Sequence, residues 1–156
     1  VNVVVGRLDA KLVAMGCPSL ERRRFNLKST DMSAQPLGDA VLHGDAPWLP
    51  LVREALGSDA RELWRGILDN RPGSTTQEWH RDGEKLQMSV SHDGINCVTV
   101  FVPLVDFEPE LGPPEFLPGS HLWRHWKEER TPDAPVLAPL LRRGSAIAFD
   151  YRTIHR

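Results

Sequence analysis

Proline recurs along this chain from Pro18 to Pro139, 13 times in 156 residues, and it is scattered rather than clustered. Each proline locks φ near about −65° and removes a backbone N–H, which disfavours long helices, and without a clustered run there is no low-complexity linker. Short apolar or alternating runs lie between, bounded by Gly, Pro, Asp or Asn. Glu62–Asn70, Leu86–Ser91, Cys97–Val105 and Ala146–Phe149 read as strands. Cys97–Val105 is so continuously apolar and β-branched that it predicts a core strand covered on both sides. The turn Arg71-Pro72-Gly73-Ser74 ends the first of these strands. One helix is predicted over Ala46–Leu56: Pro47 and Pro50 suit its first turn, Leu49, Val52 and Leu56 share a face, and Gly57 stops it. The pattern is that of a mainly β (α+β) fold with an N-terminal helix, and short strands at short intervals fit a sandwich or jelly roll better than a doubly wound sheet.

The length is that of one ordinary domain, so residues 1–156 are expected to share one core. Within it, residues 1–45 lack a sustained period and are expected to wrap the core formed by 46–156. A formal net charge of −2 argues against a broad electrostatic hold on nucleic acid or a membrane surface and leaves a small molecule as the expected partner. The short run Arg22-Arg23-Arg24 reads as a solvated face. Cys17 and Cys97 are too few and too far apart for a disulfide framework and read as buried thiols of a reducing compartment, the cytoplasm. No apolar run approaches the roughly 18 residues of a membrane span, and Val1–Val5 is too short for a signal peptide. Val1 in place of Met fits an alternative start, trimming or a fragment equally. Oligomeric state is not legible.

The chemistry concentrates in His80-Arg81-Asp82 and in His155, 75 residues beyond His80. In an extended segment residues i and i+2 point to the same side, so His80 and Asp82 face one cavity while Arg81 faces away. A sheet that returns His155 to this pair completes a two-histidine, one-carboxylate set, the ligand type of non-haem Fe(II) with open positions for O2 and a co-substrate. A His-X-Asp triplet alone is common by chance. His92-Asp93 is a weaker pair, because adjacent strand residues point to opposite faces. His121 reads as a loop-supporting residue, and His43 and His125 carry no pattern. Trp64, Trp79, Trp123 and Trp126 fit an apolar pocket, though packing is the commoner use of such residues.

Four blocks in order, Asn70-Arg71-Pro72-Gly73, Trp79-His80-Arg81-Asp82-Gly83, Gly112 to His121 and Gly144 to Arg156, resemble the phytanoyl-CoA dioxygenase-like family of Fe(II)- and 2-oxoglutarate-dependent oxygenases, over roughly residues 47 to 156. The resemblance implies a double-stranded β-helix (jelly roll), with His80, Asp82 and His155 as catalytic iron ligands and Pro118-Gly119-Ser120-His121 as a loop beside the site. It implies Fe(II), 2-oxoglutarate and O2 as cofactor and co-substrates, with succinate and CO2 formed as a C–H bond of a small organic substrate is hydroxylated. Retained Asp82 favours hydroxylation over halogenation. Ile67 and Phe101 fall where the family places residues lining the 2-oxoglutarate pocket. The family's carboxylate-anchoring Arg stands about ten residues after the distal His, whereas this sequence ends one residue after His155, so a last strand and its anchor are expected to be missing or replaced. Two rival readings follow: a non-catalytic jelly-roll binding or regulatory protein that keeps the ligands, and a cupin-like metal enzyme, disfavoured because such sites use more histidines.

Overall fold

The computed structural model describes residues 24–29, 46–63, 65–82 and 94–156. They fall into two compact units: the residues up to Pro47 together with Arg61–Thr75, and Trp48–Ala60 together with Thr76–Arg156.

The first unit contains the strand pair β1 (Arg24–Ser29) and β2 (Arg65–Asn70), antiparallel with Arg24 opposite Asn70 and Ser29 opposite Arg65. β2 falls within the predicted strand but starts three residues later than Glu62. β1 lies in the stretch for which no period was apparent. Its sequence nevertheless alternates, with Phe25 and Leu27 between Arg24, Asn26 and Lys28, and six residues of alternation is the signal of a strand. The basic run thus leads into a strand at Arg24. The turn after β2 is closed by the Ser74 N–H and hydroxyl, both donating to the Arg71 carbonyl. Trp64 and the predicted strand Leu86–Ser91 lie outside the described residues, as do Cys17, His43, His92 and Asp93.

In the second unit α1 (Leu49–Leu56) takes the place of the helix predicted over Ala46–Leu56. Pro50 sits in its first turn, where its missing N–H costs nothing, and Gly57 at φ 95° ends it. β3 (Val98–Phe101) and β4 (Ile147–Asp150) pair antiparallel, Val98 opposite Asp150 and Phe101 opposite Ile147. β3 is shorter than the nine-residue run suggests because Pro103 has no N–H to continue the ladder. Only Thr99 is buried along it, and its neighbours are half-buried, so the segment is not the doubly covered strand its composition predicts. Two short 3₁₀ turns, Pro109–Leu111 and Ser120–Leu122, and a single helical turn α2 (Trp126–Glu129) complete the elements of the described residues. Among the described residues no helix is long and apolar enough to cross a membrane.

Past β4 the chain turns at Tyr151-Arg152, where the Thr153 N–H donates to the Asp150 carbonyl and the Asp150 carboxylate accepts the Arg152 N–H. It then runs extended through Thr153–Arg156 between two other extended segments. On one side His155 pairs with His80, each N–H donating to the other's carbonyl at 2.9 and 3.0 Å. On the other it bridges to Phe116, which in turn pairs with Leu137. Alternation along these segments separates two faces. His80, His155 and Phe116 share one. Trp79, Ile154 and Leu117 share the other, and they are the buried apolar cluster, with Trp123, Trp126 and Ala134 packed against it. All three tryptophans are used in packing, and Trp79 and Trp126 also line an open cleft.

Ser120 fastens the loop to this layer. Its side chain is fully buried; its hydroxyl donates to the Leu117 carbonyl at 2.6 Å and accepts the Ile154 N–H at 2.8 Å. Gly119 makes the approach possible at φ 80°, a conformation that a Cβ disfavours. Ser120→Ala leaves the buried Ile154 N–H without an acceptor and is expected to destabilise the protein by about 1–3 kcal/mol. Urea unfolding with an unchanged m-value checks this.

Candidate metal centre

Backbone pairing places the candidate residues before any side-chain chemistry is considered. His80 and His155 are directly opposite across an antiparallel bridge, so their side chains emerge on the same face, and their ring centroids lie 4.4 Å apart. Asp82, two residues after His80, joins them: one ligand-type atom from each of the three lies within 4.8 Å of the others. His155 Nε2 is 3.9 Å from Asp82 Oδ2.

Both rings are oriented in the same way. His80 Nδ1 donates to the Glu78 carbonyl at 2.8 Å and His155 Nδ1 to the Thr153 carbonyl at 3.0 Å. A carbonyl only accepts, so the proton of each neutral ring sits on Nδ1 and Nε2 keeps its lone pair. This is the tautomer a metal-binding imidazole needs, fixed by a backbone oxygen two residues earlier. Asp82 is half-buried and receives the Thr99 hydroxyl at 3.3 Å on Oδ2. Two Nε2 lone pairs and a carboxylate from one side make a donor set that suits a divalent cation of borderline hardness.

His155 is walled by aromatic rings. Phe149, Phe101 and Phe116 stand with their centroids 5.2, 5.9 and 5.9 Å from it, Phe116 nearly parallel and the other two edge-on. The imidazole is 3% exposed, and burial, ahead of the proximity of His80, pushes its pKa below the ordinary value despite the Thr153 carbonyl and the Asp82 carboxylate. Phe101 therefore stands beside the three residues, whereas Ile67 is a half-buried residue of β2, opposite Leu27 in the first unit.

Arg81 does face away, as alternation requires. Its guanidinium is buried, and one nitrogen, Nη2, donates both to the Ser120 carbonyl at 2.9 Å and to the Trp123 carbonyl. The residue between two candidate ligands thus holds the Pro118-Gly119-Ser120-His121 loop. His121 lies in the 3₁₀ turn, half-buried; nearby, burial would raise the Asp150 carboxyl, but the Arg152 hydrogen bonds outweigh it and hold Asp150 below the usual carboxylate range. Cys97 is a free, half-buried thiol whose pKa is raised by burial and then by Asp150 and Asp82. An open cleft of about 420 Å³ borders the site, lined by Glu78, Trp79, His80, Trp126, Lys127 and Arg130.

The residue roles that the sequence did not reveal are those of Arg81, Thr99, Phe116 and Phe149. Only the position of Thr99, two residues from Phe101 on the same strand face, offered a signal.

The family model for phytanoyl-CoA dioxygenase (PhyH) matches residues 20–156. Dioxygenase trt7 of Aspergillus terreus (strain NIH 2624 / FGSC A1156) is 26% identical over 151 residues, 90% of this chain and 52% of the relative. Dioxygenase hkm4 of Aspergillus hancockii is 29% identical over 96 residues, 58% of this chain and 30% of the relative. Dioxygenase easH of Epichloe festucae var. lolii is 30% identical over 93 residues, 57% of this chain and 49% of the relative. The chain thus spans about half or less of the length of these curated relatives. No solved structure matches it.

The depressed pKa of His155 fixes the sign of a pH effect. In the unfolded chain the ring protonates near its ordinary value of 6.5, while in the folded protein it resists the proton. The associated stability is present above that pH and is lost as pH falls from 6.5 through the lower folded value. Thermal melts of the metal-free protein between pH 8 and 5 (a window of about three units around the His range) are expected to show this decline, and His155→Asn to flatten it.

Proposed function

This chain belongs to the phytanoyl-CoA dioxygenase family, and from that membership we propose that it is a non-haem Fe(II)- and 2-oxoglutarate-dependent dioxygenase that hydroxylates a small organic substrate, with succinate and CO2 as co-products. The observation that carries the reading is the convergence of His80, Asp82 and His155 with both Nδ1 protons tied to backbone carbonyls. In this reading the three residues hold Fe(II) on one face, and the metal supplies the oxidative chemistry when bound.

The protein's own contribution is positional. The His80–His155 backbone pair sets the separation of two ligands, and Glu78 and Thr153 set the ring tautomers. Phe101, Phe116 and Phe149 exclude water from the buried side of His155, which lowers the local dielectric around the metal. Phe101 is assigned to the wall of the 2-oxoglutarate pocket on the family resemblance. A jelly roll is the fold this reading requires, since such folds bring an early strand end and a late one to a common mouth.

The test is anaerobic titration of the Fe(II)-loaded protein with 2-oxoglutarate, followed by the visible charge-transfer band of the chelate and, in air, by succinate release. A saturable band is expected, with His80→Ala and Asp82→Ala reducing band and succinate to background. A folded protein that holds Fe(II) yet gives no band overturns the 2-oxoglutarate assignment; full turnover in either variant overturns the ligand assignment.

A further inference from the structure

Thr99 and Phe101 share one face of β3, and each bears on the candidate site: Thr99 bonds Asp82, and the Phe101 ring stands 5.9 Å from His155. Of the two, Thr99 is the buried one, 8% exposed. It is opposite Phe149 in the β3–β4 register, with Phe101 two residues along its own strand, so hydrocarbon flanks it. A hydroxyl in such a place must spend its proton on a protein acceptor or bear the cost of burial without one. The acceptor is Asp82 Oδ2, at 3.3 Å, the same oxygen that lies 3.9 Å from His155 Nε2.

Asp82 needs such a partner. The two imidazoles are each held at Nδ1 by a carbonyl of their own chain segment, whereas among the described residues the Asp82 carboxylate has no equivalent local restraint. The Thr99 hydrogen bond supplies it from a different strand, 17 residues away in sequence. From this geometry we propose that Thr99 is the positioning residue of the metal centre, holding the Asp82 carboxylate in its ligating orientation before a cation arrives. The proposal rests on the assignment of His80, Asp82 and His155 as metal ligands. Thr99 acts through Asp82 and touches no reacting atom.

The experiment is titration of the metal-free protein with Mn(II), read by loss of the free-ion EPR signal, so that neither turnover nor oxidation enters. Thr99→Val, which keeps the shape and removes the hydroxyl, is expected to weaken Mn(II) binding about 10- to 100-fold, as other outer partners of metal ligands do. Thr99→Ser is expected to restore binding to within about 3-fold, a small fraction of that loss. In a double-mutant cycle, Thr99→Val is expected to add nothing to the loss caused by Asp82→Ala. Thr99→Ala replaces the valine variant if circular dichroism shows the latter unfolded. Wild-type affinity in the folded valine or alanine variant overturns the proposal and leaves the metal site standing, as does an additive effect in the cycle. Absence of saturable Mn(II) binding in the wild-type protein overturns the site itself and the role of Thr99 with it.

Discussion

Two hydrogen bonds between the backbones of His80 and His155 govern much of the second unit. They join segments separated by 75 residues in register, and the register decides more than the distance between two rings. Because side chains alternate along extended chain, opposing His80 to His155 also sends Trp79 and Ile154 to the other face, where they meet Leu117. A slip of the His80 segment by one residue would move its imidazole to the face of the apolar cluster and Trp79 to the candidate metal face. Core and site are thus the two sides of one pairing, and hydrophobic burial on one face stabilises the ligand arrangement on the other.

The loop around Ser120 reinforces that register from outside the bridge. Its hydroxyl takes the Ile154 N–H, its carbonyl takes the Arg81 guanidinium, and Gly119 supplies the backbone turn that lets it come so close. The residues on either side of the candidate ligands are therefore tied to one serine. Arg130 and Arg156 lie over the Trp79 ring, with centroid distances of 5.3 and 4.4 Å, and Arg156 is paired with Glu115. Charged side chains cover the apolar cluster with their planar groups while their polar edges stay hydrated or paired.

What could be read from sequence was local. The i, i+2 geometry of His80 and Asp82, the helix stop at Gly57, the turn after Asn70 and the outward direction of Arg81 each depend on a few adjacent residues, and each is found, while the helix itself starts at Leu49 and leaves Pro47 outside its first turn. The family match extends to residues 20–156, beyond the span in which recognisable blocks lie. What sequence left hidden depends on partners far along the chain: Ser120 with Ile154, Arg81 with Trp123, Thr99 with Asp82. No local propensity encodes those pairs. β1 was overlooked because its alternation is brief and sits in a stretch without sustained period. The apolar run from Cys97 misled because composition reports what a strand can bury, whereas Pro103 and the neighbouring segments decide what it does bury.

The three candidate ligands differ in how they meet solvent: His155 is enclosed by phenylalanines, while His80 and Asp82 are half-buried. The set has a closed rear and an open front. In the proposed reading a cation would therefore be approached from the side of His80 and Asp82: His155 cannot swing aside without displacing three packed rings, whereas among the described residues the Asp82 carboxylate is held by the Thr99 hydroxyl.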